Sequence, residues 1–149
     1  MLGWSLNRGS PTRFAEANLL LRQIAEEKFV GTYSWATEQE IAAAPKHIAR
    51  KLRQKVESAK MRKVPVRLKG IADELAERYC NEGIVPFAFK MDALHIAVAT
   101  LWKADALVSY NFEHIVSLEI MVAVNKVNRA LDLNEVFLCQ PQEVIISGG

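Results

Sequence analysis

The stretch from Asp92 to Tyr110 constrains the fold most, because a helical apolar stripe gives way within a few residues to a short β-like run. Asp92 opens the helix, Leu94, Val98 and Leu101 share one side of it, and "DALVS" follows as the extended segment. A helix over 92–103 descends roughly 16 Å at 1.5 Å per residue. An extended run over 106–110 climbs back roughly 16 Å at about 3.3 Å per residue. Asn111 therefore returns to the level of Asp92. In α/β sheets that level is the carboxyl edge of the strands, where ligands bind.

Upstream segments repeat the alternation. Ser10 before Pro11 starts a helix carrying Phe14, Ala17, Leu20, Leu21 and Ile24, which stops before Gly31. Phe29 to Ser34 reads as a short strand, and Ser34 or Thr37 caps the next helix, which Pro45 ends or restarts. Ile48, Leu52, Val56 and Ala59 mark a third helix, and the residues around Pro65 suit an edge strand, because proline cannot donate to a ladder. Ile71, Leu75 and Tyr79 lie on a helix closed by Asn81 and Gly83. A helix from about Ser117 to Ala130, a strand "VFL" and a turn at Pro141 complete the chain. Strands alternating with helices predict an α/β fold, a parallel sheet with helices on both faces.

With 149 residues, half of them hydrophobic, the chain suits one domain spanning 1–149, whose first twelve residues read as irregular. A net charge of +2 argues against a strongly basic binder, so any nucleic-acid surface must be local. Cys80 and Cys139 have neither the spacing of a zinc site nor that of a disulfide framework, which suits a reducing cytoplasm. No signal-like segment and no run of about 18 apolar residues occurs, so the expectation is a protein with no membrane association.

Glu40 follows the Phe29–Ser34 strand in the next helix, so the same geometry brings it to the edge shared by Asp92 and Asn111. Two carboxylates and an amide carbonyl are hard ligands suited to Mg²⁺ or Mn²⁺. Structural roles stand beside each: "TEQE" from Thr37 is a capping-box pattern that would turn Glu40 back on the Thr37 backbone. Asp92 in a first helical turn favours the macrodipole, and Asn111 after a strand suits a turn. His95, Asp105 and His114 read as structural groups. Between Lys46 and Lys69 the chain places Arg50, Lys51, Arg53, Arg62 and Lys63 among other cations against a single acid, Glu57. This segment is either a solvated helix face, a surface that tracks RNA phosphates, or a dock for an acidic partner.

The blocks "DALHIA" and "VSYNFEHI", with "YSWATEQEIAAAP" before them and "VNKVN" and "QPQEVI" after, resemble the PIN domain of VapC-type toxins. The resemblance runs from about Arg13 to Ile146. It implies a three-layer α/β/α fold with a short central parallel sheet and a Mg²⁺- or Mn²⁺-dependent endoribonuclease. It also implies an antitoxin partner and a homodimer. Glu40 matches the acid of the helix after the second strand, Asp92 matches the acid opening "DALHIA", and Asn111 stands for a further acid. Such domains begin with an apolar strand ending in Asp, yet nothing in "MLGWSLNRGSPTRF" supplies it and no Asp precedes Asp73. The expectations are a missing N-terminal strand, a weakly held metal, and a parent chain with an upstream extension. A catalytically silent module that binds RNA or an antitoxin is the competing expectation.

Overall fold

The computed structural model of the chain describes residues 11–109 and 117–145. Asn111 and His114 lie outside them, as do residues 1–10, on which the expectation of a missing first strand falls. The described chain is mixed α/β, mostly helical, with two small parallel sheets. Helix α1 (Pro11–Ala25) leads to strand β1 (Thr32–Tyr33), followed by α2 (Trp35–Ala43), α3 (Lys46–Ser58) and β2 (Arg62–Lys63). Then come α4 (Lys69–Asn81), α5 (Lys90–Leu101), β3 (Leu107–Val108), α6 (Leu118–Ala130), β4 (Leu138–Cys139) and the short α7 (Pro141–Val144).

Strand β1 pairs with β2 in the register Thr32 with Arg62 and Tyr33 with Lys63, and β3 pairs with β4 in the register Leu107 with Leu138 and Val108 with Cys139. All four strands are shorter than their sequence patterns. Phe29 to Ser34 contracts to two residues, and the strand expected around Pro65 lies just before it. Pro65 instead precedes a 3-10 turn over Val66–Leu68, and "VFL" contributes only Leu138. Ladder hydrogen bonds, rather than β-prone side chains, set these limits.

Two apolar clusters flank the strands. Leu20, Leu21 and Ile24 of α1 pack with Ala59, Val108 and Cys139, and Met61 joins them. The larger cluster gathers Trp35, Val64, Leu107 and Leu138 with Leu75 and Tyr79 of α4 and Ile96 and Val98 of α5. Gly31 lets α1 approach the entry to β1, since a Cβ there would sit 2.8 Å from Ile24 Cγ2 and 3.2 Å from Met61 Cγ.

Every residue from Asp92 to Thr100 of α5 is buried, so the helix has no solvent side, contrary to its one-sided apolar pattern. It packs against α4 most extensively and also touches α2 and β3. A buried polar network crosses this core. Tyr79 Oη donates to Asn128 Oδ1 at 2.5 Å, Asn128 Nδ2 donates to Thr100 Oγ1 at 3.3 Å, and Thr100 Oγ1 donates to the Ile96 carbonyl at 2.9 Å. Asn125 Nδ2 donates to the Val136 carbonyl and its Oδ1 accepts from the Val136 amide, at 2.9 and 2.8 Å. The "VNKVN" asparagines thus tie α6 to α4, α5 and the approach to β4 through satisfied buried groups. Among the described residues, no helix is long and apolar enough to cross a membrane.

Candidate functional site

Ser34 follows β1 in extended conformation and caps α2, its side chain accepting from the Ala36 amide at 3.2 Å. The helix therefore starts at Trp35, and Thr37 lies inside its first turn rather than at its cap. The capping-box reading of Glu40 fails for that reason. Glu40 instead reaches across to α5, where its Oε1 lies 2.5 Å from His95 Nε2. His95 is 1% exposed, while the Glu40 side chain keeps 20% of its surface in solvent. The pair therefore sits at a wall of the core with its acid facing outward.

Asp92 lies one turn before His95, on the same face of α5, and is itself buried. Phe89 is the N-cap of this helix and makes no side-chain cap bond, so an acid in the first turn also meets the positive end of the helix dipole. Glu40 and His95 therefore meet directly, and Asp92 stands one helical turn along α5 from that pair. The Nδ1 atom of His95 is buried and has no hydrogen-bond partner among the described residues. A buried ring nitrogen without a partner is costly, and a water or bound ligand would relieve it. Among the described residues, no group of three or more His, Cys, Asp or Glu side chains is gathered as a metal cage. Asn111, the third ligand expected from sequence, lies outside the described residues.

His95, read from sequence as structural, is thus the direct partner of a candidate catalytic acid. Its one-turn spacing from Asp92 was a visible signal, but a 55-residue separation from Glu40 carries none. The buried thiols offer no alternative chemistry: burial raises both, and with Glu143 nearby pushes Cys139 up to about 11.

The cations divide across the surface. Arg50 and Arg53 line a groove of about 520 Å³ at the junction of α2 and α3, with Lys46 at its end and Glu57 as its acid. Lys51 and Lys55 turn to the opposite side of α3 and line, with Arg22 of α1, a groove of about 400 Å³ floored by Leu21, Ala25 and Ala59. Burial, and then the neighbouring charge of Lys51, lowers the Lys55 ammonium pKa. Arg62 and Lys63 lie on exposed β2, where Lys63 Nζ bonds Glu38 at 2.9 Å, so its charge is partly answered within the fold. The single basic surface expected from sequence is therefore split by the helical period of α3. Comparisons with known proteins return no match to the chain, whether to family models, to curated proteins or to solved structures.

Proposed function

We propose that the chain is a metal-dependent endoribonuclease of the PIN toxin type, built as a three-layer α/β/α domain and cleaving RNA phosphodiester bonds. The observation that carries this reading is the meeting of Glu40 with His95 one helical turn from Asp92, where α2 follows the end of β1 and α5 begins. Two carboxylates of hard oxygen character fit a site for Mg²⁺ or Mn²⁺. Glu40 and Asp92 would hold the ion, with Asn111 joined to them by sequence position alone. The bound ion would supply an activated water and neutralise charge developing on the phosphate.

The chain's own side chains then have separate duties. His95 fixes the orientation of Glu40, as a partner beyond a ligand commonly does. Asp92 is itself buried in the first turn of α5, so its carboxylate needs little ordering before reaction. Arg50 and Arg53, exposed along α3, grip the RNA backbone in a sequence-independent way. Arg62, Lys63 and Lys51 add positive potential on neighbouring surfaces, and an antitoxin or a second copy would compete with RNA for these cations.

Incubation of the chain with generic single-stranded RNA and Mg²⁺ or Mn²⁺ tests the proposal. Cleavage that falls more than about a hundredfold in Asp92→Asn, with unchanged circular dichroism, supports the nuclease. A second reading, a catalytically silent module that binds RNA or an antitoxin, draws on the engagement of Glu40 by His95 at 2.5 Å, which occupies one of its carboxylate oxygens. Salt-sensitive RNA binding without cleavage in either metal favours that second reading.

A further inference from the structure

Helices α1 and α3 leave a groove of about 400 Å³ between them, flanked by residues 18–25 on one side and 51–59 on the other. Each flank is about two helical turns, roughly 12 Å at 1.5 Å per residue. Ala25, Ser58 and Ala59 are small, so neither helix fills the space above Leu21. The floor is apolar, for Leu21 and Ala59 are buried members of the cluster that also holds Ile24 and Val108.

The rim is cationic. Arg22 comes from α1, and Lys51 and Lys55, four residues apart on one face of α3, come from the opposite wall. No acid is among the described residues that line this groove, whereas the groove on the other side of α3 includes Glu57. The side chains of Arg22 and Lys51 enter no ion pair among the described residues. Burial, and then the charge of Lys51, disfavours the ammonium form of Lys55, and an anion seated beside the two lysines would favour it.

We propose that this groove binds a small phosphate monoester with an apolar body, its phosphate held by Arg22, Lys51 and Lys55 and its body laid along Leu21, Ala25 and Ala59. Size selects a small molecule. The volume falls within the roughly 300–1,000 Å³ of small-ligand sites, and two turns of each helix fall short of the roughly 20–30 residues a side of a stable protein interface. Charge selects the phosphate, because cations converging from two helices answer a dianion better than a single carboxylate, Arg22 by its forked donors and the lysines as point charges. The floor selects the apolar body, since covering it removes apolar surface from water. This inference uses neither Glu40 nor Asp92 and does not depend on the nuclease reading.

Titration calorimetry of the full chain with hexyl phosphate tests it, with inorganic phosphate and hexanol as the two halves of the probe. Hexyl phosphate should bind at least about tenfold more tightly than either half, and should shift the NMR amide signals of Arg22, Ala25, Lys51 and Ser58. Arg22→Gln with Lys51→Gln should weaken its binding at least about tenfold. Arg50→Gln with Arg53→Gln removes the same charge from the other side of α3 and should change the affinity less than about twofold. Ala25→Leu fills the floor and should weaken binding with every cation in place. Equal weakening by the two double variants would overturn the proposal, because net charge rather than the groove would then attract the ligand. Inorganic phosphate binding as tightly as hexyl phosphate, or an absence of heat and shifts with hexyl phosphate, would overturn it as well.

Discussion

Glu40 Oε1 and His95 Nε2 lie 2.5 Å apart although 55 residues separate them in the chain. The contact joins the helix after β1 to the helix before β3. It also pairs an acid that keeps 20% of its side-chain surface in solvent with a buried imidazole, which makes the two partners unequal. His95→Ala would open a cavity in the core and should cost about 2–4 kcal/mol of stability. Glu40→Gln keeps a hydrogen-bond acceptor for His95 in place at a partly buried site and should cost about 1 kcal/mol. Urea unfolding of the two variants measures both, and equal losses would contradict this assignment.

Tyr79 gives the fold a pH dependence at its alkaline end. Burial, against the smaller effects of its bonds to Thr100 and Asn128, raises the phenol from 10.0 to about 12. The folded state thus holds this proton more tightly than the unfolded state, and the resulting stability is full below pH 10.0 and lost as pH rises towards 12. The loss should be on the order of 2 kcal/mol. In Tyr79→Phe the decline over that range should flatten, at a constant cost of about 1–2 kcal/mol for the orphaned Asn128 Oδ1. Unfolding free energies measured from pH 9 to 12 for both chains decide the matter.

An asparagine of α6 ties down the approach to β4. Asn125 bonds both the amide and the carbonyl of Val136, which is 1% exposed. Asn125→Leu should cost about 2–4 kcal/mol, since two backbone groups lose their partners in the core. Asn125→Asp keeps the acceptor but loses the donor, and should unfold at a lower midpoint than the parent. Thermal unfolding separates the three proteins.

Two glycines respond oppositely to one methyl group. Gly31→Ala places its Cβ 2.8 Å from Ile24 Cγ2, in the packed contact between α1 and β1, and should destabilise by about 1–3 kcal/mol. Gly70 lies exposed in the first turn of α4 with nothing within 4 Å of an added Cβ, so Gly70→Ala should stabilise by about 0.5–1 kcal/mol. Denaturant midpoints should move in opposite directions.

The split of the cations on α3 predicts unequal roles in RNA binding. Arg50→Gln with Arg53→Gln should weaken binding and lower the slope of log affinity against log salt by about 1–2. Lys51→Gln with Lys55→Gln, on the groove against α1, should change that slope by less than half as much. Titration of single-stranded RNA at several salt concentrations distinguishes the pairs, and a larger effect from the lysines would reverse the assignment.

The chain's local rules are written in its sequence. Ser117 caps α6 by accepting from the Ile120 amide at 3.1 Å, Pro45 precedes α3, and Gly83 takes φ +75 just after α4 ends. Those residues act through their own backbone and their nearest neighbours, so spacing reveals them. The helix that includes Asp92 and the short strand after it were legible for the same reason. Partnership across the core is different in kind. Nothing in the periodicity of α5 tells that all its sides are covered, for a stripe of apolar residues looks alike whether its polar neighbours meet water or a partner. Only folding brought Glu40 to His95, Asn125 to Val136, and Lys51 and Arg53 to opposite sides of α3, since burial and contact depend on which distant segments pack together.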